Sequence, residues 1–222
     1  MNTEGLSNKP RRGYDNTLRE EQARQTRQRI LDSAVEMLAA SDSGNVTLAE
    51  VARRAGVSEP TLYRHFGSRE RLYEALEAHA QVKLGLPAVP ETMEEITSHV
   101  RAVFRSFGEN DALMHAVTRA DLGREIRARG RARRTQQLRS MIAAQARHLD
   151  GPEVNRITAV IRVLVSWETY RVMTEELGLS AGDAGAAVTW ALETLLADFV
   201  ERDAGGADSR RRVGERTSEE EA

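Results

Sequence analysis

Between Gln22 and Ala40 the apolar residues Ile30, Leu31, Ala34, Val35 and Leu38 share one helical face, with Arg27, Arg29, Asp32 and Glu36 elsewhere. After the polar loop Ser41–Asn45, a second helix opens at Thr47, with Leu48, Val51, Ala52 and Ala55 as its inward stripe. Thr47 and Glu50 have the spacing of a capping box, in which hydroxyl and carboxylate each satisfy an orphan backbone donor. Gly56 stands where the chain must turn. Ser58 can cap a third helix with Pro60 in its first turn, where a missing N–H costs little. Leu62 and Phe66, one turn apart, point that helix inward together with Val57. Gly67-Ser68 ends it, and Ser68 caps a fourth helix carrying Leu72, Tyr73 and Leu76.

Gly85-Leu86-Pro87-Ala88-Val89-Pro90 is rich in helix breakers and marks a domain boundary. Beyond it the chain reads as helix throughout: Thr92–Phe107, Asp111–Ala120, Gly123–Leu149, Pro152–Leu177 and Ser180–Arg202. The last of these has a regular apolar seam, Val188, Ala191, Leu192, Leu195, Leu196 and Phe199. The expected fold is all-α with about nine helices. Residues 1–21 read as a disordered basic arm, 22–80 as a three-helix helix-turn-helix domain with its connecting helix, 91–202 as a larger helical domain, and 203–222 as a disordered tail.

Composition narrows the function. The 222 residues carry 40% hydrophobic and 30% charged residues and a net charge of −2, so the overall charge does not itself point to nucleic acid. Cysteine is absent, which removes disulfides, cysteine metal sites and thiol nucleophiles and suits a reducing cytoplasm. No apolar run approaches the ~18 residues of a membrane span. The local charge is different: Lys9, Arg11, Arg12, Arg19, Arg24, Arg27 and Arg29 are met only by Asp15, Glu20 and Glu21. The first residues are thus either a solvated tail or an arm adding phosphate contacts.

No phosphate loop, serine elbow or metal-spaced histidine cluster occurs, and the five histidines are scattered. The sequence requires no cofactor and suggests no enzyme. Arginines 124, 127, 129, 131, 133, 134, 139 and 147 read as a solvated helix face rather than a second nucleic-acid surface, because no stacking aromatics are interleaved. Glu168, beside an apolar stripe, reads as a snorkelling surface residue in preference to a polar group in a pocket.

The third helix leaves Glu59, Thr61, Tyr63, Arg64 and His65 on its outer surface, groups able to bond phosphates and base edges. At Ala52-Arg53-Arg54-Ala55-Gly56-Val57-Ser58 and Thr61-Leu62-Tyr63-Arg64-His65-Phe66 the chain resembles the DNA-binding domain of the TetR (tetracycline-repressor-like) family of bacterial regulators. The resemblance spans about Arg24–Ala80. It implies DNA contacts from Thr47, Ser58, Glu59, Pro60, Thr61, Tyr63, Arg64, His65 and Arg69. Tyr63 and His65 would meet phosphates, and Arg64 and Glu59 would choose bases. Two departures stand out. Arg69 replaces the usual lysine, and Leu48 and Ala49 occupy places where some members carry a base-reading arginine.

The resemblance further implies a cytoplasmic homodimer on a near-palindromic DNA operator, acting as a repressor released by an unknown small molecule. The seam Val188, Ala191, Leu192, Leu195, Leu196 and Phe199 would pair the two copies. Phe104, Phe107, Met114, Trp167, Tyr170 and Met173 are the candidate ligand contacts, though each serves equally well as core. The alternatives are a constitutive or architectural DNA-binding protein without a ligand and, more distantly, a small-molecule enzyme with an accessory helix-turn-helix.

Overall fold

A computed structural model describes the backbone of residues 12–41, 45–146 and 148–220, and the side chains of residues 17–41, 45–146 and 148–204. Among the described residues there are ten α-helices, one π-helical turn and no strand. The first four are α1 (Arg12–Ala40), α2 (Leu48–Arg54), α3 (Glu59–Phe66) and α4 (Arg69–Lys83). Then follow α5 (Ile96–Glu109), α6 (Asp111–Arg119), α7 (Asp121–Gln145), α8 (Gly151–Leu164), α9 (Trp167–Arg171) and α10 (Ala181–Glu220). No helix among the described residues is long and apolar enough to cross a membrane.

The short helices begin where local chemistry starts them. Thr47 and Glu50 form the reciprocal capping box at α2. The Ser58 and Ser68 hydroxyls accept from Thr61 N and Arg71 N at the starts of α3 and α4. Gly56, between α2 and α3, has φ +71°, a conformation that glycine adopts without a Cβ clash. Leu62 and Phe66 drop into a core with Ile30, Ala34, Leu38, Val51 and Ala52. Leu62 is fully buried, and a leucine so placed stabilises by about 2–5 kcal/mol relative to alanine. The same core takes in Val117, Ala120, Leu122 and Ile126, so α6 and the start of α7 lie against the helix-turn-helix unit.

A second core joins α5, α8, α9 and α10 with the later part of α7. Here two expectations change. The stretch 152–177 is not one helix. Ser166 starts a new helix by accepting from Thr169 N, Thr169 Oγ1 donates to Val163 O at 2.6 Å, and residues 172–176 widen into a π turn. Val188, Leu192 and Phe199 do not offer a seam to another chain. They are buried within the protomer, and α10 packs along α5. Ala191 and Leu196 are half-buried, and Leu195 is exposed.

The terminal helices run further than expected. α1 begins at Arg12, within the stretch read as an arm, and α10 continues to Glu220 through the stretch read as a tail. Neither segment contains proline, and both are rich in arginine and glutamate, which favour helix. Residues 1–11, loop positions 42–44, Arg147 and residues 221–222 lie outside the described residues.

The two cores meet along α4 and α7, and that joint is polar. Glu77 of α4 is almost wholly buried. Its Oε2 accepts from Arg133 Nη2 and its Oε1 from Arg134 Nη1, each at 2.5 Å, and Gln81 Nε2 donates to Oε1 as well. One turn earlier, Tyr73 Oη donates to Glu125 Oε2 at 2.5 Å, and the Arg129 guanidinium lies 4.0 Å from the centre of the Tyr73 ring. On its other side α4 is tied to α1, where Asp32 Oδ1 meets His79 Nε2 at 2.9 Å and Lys83 Nζ at 3.0 Å.

Gly130 makes the Glu77 contact possible. A Cβ there would lie 2.4 Å from Glu77 Oε1, on a carboxylate held by three donors. In an exposed helix interior, Gly→Ala stabilises by about 1 kcal/mol. Gly130→Ala is expected to do the reverse and lower the thermal midpoint. An unchanged or raised midpoint in a melt followed by circular dichroism would show that the carboxylate is free to move aside.

Candidate functional site

The outer surface of α3 is held in place from both ends. Ser58 Oγ and Thr61 Oγ1 lie 2.8 Å apart, so the cap and the first outward hydroxyl form one unit. Tyr63 Oη donates to Glu59 Oε1 at 3.5 Å, which sets the phenol along the helix. Thr47, Ser58, Glu59, Pro60, Arg64 and Arg69 are exposed, and Thr61, Tyr63 and His65 are half-buried. All nine positions named from the sequence therefore reach the surface of the helix-turn-helix unit. Arg69 is engaged within the protein: its Nη2 donates to Tyr73 Oη at 3.4 Å and lies 3.6 Å from Glu125.

α1 adds a contribution that the sequence reading did not assign. The Arg27 guanidinium lies 4.8 Å from the centre of the Phe66 ring. Burial first, and then Arg64, Arg27 and Arg29, hold the His65 imidazole below its usual range. A neutral His65 thus stands among three guanidiniums, two of them from α1. The spacing of Arg27 before Ile30 had placed it off the apolar face but not next to α3. Such a cluster suits a polyanion, with arginine charge on phosphates and a neutral imidazole offering one N–H.

In the second part of the chain a cavity of about 650 Å³ opens between α4, α5, α7, α8 and α9. Phe107, Met114, Trp167 and Met173 line it, whereas Phe104 and Tyr170 do not. Those two rings stack behind the cavity, Phe104 edge-on to Tyr170 at 5.6 Å and Tyr170 edge-on to Phe107 at 5.5 Å.

The polar part of the wall corrects the reading of α7 as a solvated face in part: Arg124, Arg129, Arg133 and Arg139 are exposed as expected, but three arginines turn to the cavity. Arg127, Arg131 and Arg134, at i, i+4 and i+7, all line the cavity, and Arg162 of α8 joins them. Glu168 is exposed, as expected of a surface residue, but it also lines the cavity. Its Oε1 accepts from Arg127 Nη2 at 3.0 Å and Arg131 Nη2 at 3.2 Å. Glu77, the residue pinned between α4 and α7, also lines the wall. The same three-residue spacing was present in the sequence. It showed that the arginines share a face but not which way that face points.

The comparisons with known proteins bear on the first of these two regions. Residues 30–76 match the model of the bacterial regulatory proteins of the tetR family. An HTH-type transcriptional regulator of Mycobacterium tuberculosis, MT1294, is 31% identical over 150 residues, covering 62% of this chain and 72% of that protein. The chain belongs to the TetR family of bacterial transcriptional regulators. The HTH-type regulators TtgW and SrpR of Pseudomonas putida are each 37% identical over 70 residues, which is 32% of this chain. The chain spans 52% of the length of TtgW and 33% of that of SrpR.

In this TetR-family regulator the matched segment ends at Leu76, one residue before the Glu77 clamp. The nine candidate DNA-contact positions fall inside the match, Arg27 and Arg29 precede it, and every residue lining the cavity follows it. Within the reading surface, base choice and phosphate contact separate by substitution. Arg64→Ala is expected to relax preference at one base pair by about 1–3 kcal/mol if the guanidinium makes a bidentate base contact. Tyr63→Ala is expected to weaken all sites alike. Selection from a random DNA library measures both, and an unchanged motif for Arg64→Ala would remove that residue from base reading.

Proposed function

We propose that this regulator is a ligand-responsive repressor that binds a near-palindromic operator as a homodimer and is released by a small molecule. One observation carries the reading: Glu77 belongs at once to the wall of the cavity and to the contact that fixes α4, the helix following α3. A molecule entering the cavity reaches the side chains that set the position of α4. If it prefers an arrangement in which that contact is altered, it shifts the population away from the DNA-competent state by its difference in affinity for the two. A constitutive or architectural role would call for a second core packed solid, and a cavity of about 650 Å³ argues against it.

The dimer reading rests on a surface revised from the buried seam. Trp190 is 72% exposed on α10, with Leu195 and Val200 also exposed, and Val160 and Val163 are exposed on α8. A groove between α8 and α10 is lined by Ile157, Val160, Leu195 and Leu196. An apolar face of this kind on the last two long helices suits the isologous four-helix pairing implied by the family. Two copies so joined would offer their α3 helices to successive major grooves, about 34–36 Å apart.

Two measurements test this. Trp190→Asp is expected to give monomers in sedimentation equilibrium and to lose tight binding to the full operator; a dimer with unchanged affinity would contradict the interface. For the switch, a compound found by thermal-shift screening should bind the free protein more tightly than the operator complex in calorimetry. Equal affinities would rule out release by that compound.

A further inference from the structure

We propose that the cavity binds an organic carboxylate, an anionic head on an apolar body, with Arg162 as the principal head-group contact and Arg131 and Arg134 beside it. The inference rests on the reading of the cavity as a ligand site and adds the chemistry of what enters.

Charge balance in the wall leads there. Four guanidiniums line the cavity, and Glu77 and Glu168 are the only acids among its lining residues. Both carboxylates are already shared. Glu168 takes Arg127 and Arg131, while Glu77 takes Arg134 and Arg133. Arg162 is left with a hydroxyl: its Nε donates to Thr135 Oγ1 at 3.3 Å, and among the described residues no carboxylate comes within ion-pairing distance. It is half-buried, in a place where an arginine is ordinarily paired.

Burial first, and then Arg134 and Arg131, lower its pKa to about 10, partly offset by the more distant Glu168, and this still leaves it charged. His99, in the same wall, is held down to about 4, chiefly by burial, and so adds no charge at neutral pH. The cavity therefore has a cationic pole in which one guanidinium makes no direct ion pair with a described residue. A planar guanidinium fork matches a carboxylate in bidentate geometry. The rest of the wall is mainly apolar, with Leu84, Val103, Phe107, Met114 and Trp167, and its other polar groups, such as Gln81, Ser166 and Thr169, are uncharged.

This chemistry also says how release would work. A carboxylate at Arg162 lies within the field of Arg134, whose Nη1 otherwise binds Glu77 Oε1. An incoming anion competes with Glu77 for that guanidinium and so loosens α4 from α7.

The test uses matched pairs that differ in the head group: dodecanoate with 1-dodecanol, and naphthalene-2-carboxylate with 2-naphthylmethanol. Calorimetry on the full chain should show at least one acid binding tenfold or more tightly than its alcohol. Arg162→Met should remove that preference by weakening the acid at least tenfold more than the alcohol, and Arg162→Lys should restore part of it. Circular dichroism confirms that both variants fold. Alcohols binding as tightly as acids, a preference that survives Arg162→Met, or no binding by either pair would overturn the proposal. An operator arm separates this from the function reading. An acid that binds with the expected preference but leaves operator affinity unchanged upholds the ligand chemistry and removes the effector role. An alcohol that binds as well as its acid and releases the operator removes the ligand chemistry and upholds the effector role.

Discussion

A carboxylate taken out of water must be paired, and in this chain the one that matters most is Glu77. Its partners come from the neighbouring helix, two consecutive arginines on α7, and the approach is close enough that only a glycine fits at position 130. Breaking a buried pair by removing one partner is far more costly than never having had it, because the remaining charge is stranded. The contact therefore holds α4 and α7 in one register. Together with Tyr73 on Glu125 and Asp32 on His79 and Lys83, it leaves α4 bound on two sides. Such a helix does not bend gradually; it stays or it moves as a unit.

Arginine does two different jobs around this joint. On the reading surface Arg27, Arg29 and Arg64 gather round a neutral His65 with their charge turned toward the exterior. In the cavity wall Arg127 and Arg131 share Glu168 and Arg134 holds Glu77, while Arg162 donates to Thr135. The first group suits the phosphates of a duplex, and the second suits a small anion. The two groups are linked through α4, whose N-terminal end follows α3 and whose middle carries Glu77.

How legible each part was in the sequence follows from the range of the interactions involved. The helix-turn-helix was readable residue by residue, because Thr47, Gly56, Ser58 and Ser68 act on backbone within a few positions of themselves. The outward set on α3 followed from Leu62 and Phe66 pointing in. The cavity was not readable. Helical spacing places Arg127, Arg131 and Arg134 on one face, yet solvent and a cavity leave the same pattern in a sequence. The same ambiguity misplaced the apolar seam of α10. Val188, Leu192 and Phe199 meet α5 in the same protomer, and the face left over is marked by Trp190, a side chain outside the regular repeat. The break at Ser166 was hidden by continuous apolar spacing, since a serine cap reads as such only when the chain around it has already turned.

If the Glu77 contact holds α3 and α4 in the arrangement that fits the operator, then Arg134→Met, which leaves every candidate DNA-contact residue untouched, should weaken operator binding. The dependence of that binding on salt should stay unchanged, since no phosphate contact is lost. A folded Arg134→Met protein that binds the operator as tightly as the parent would contradict that role of the contact.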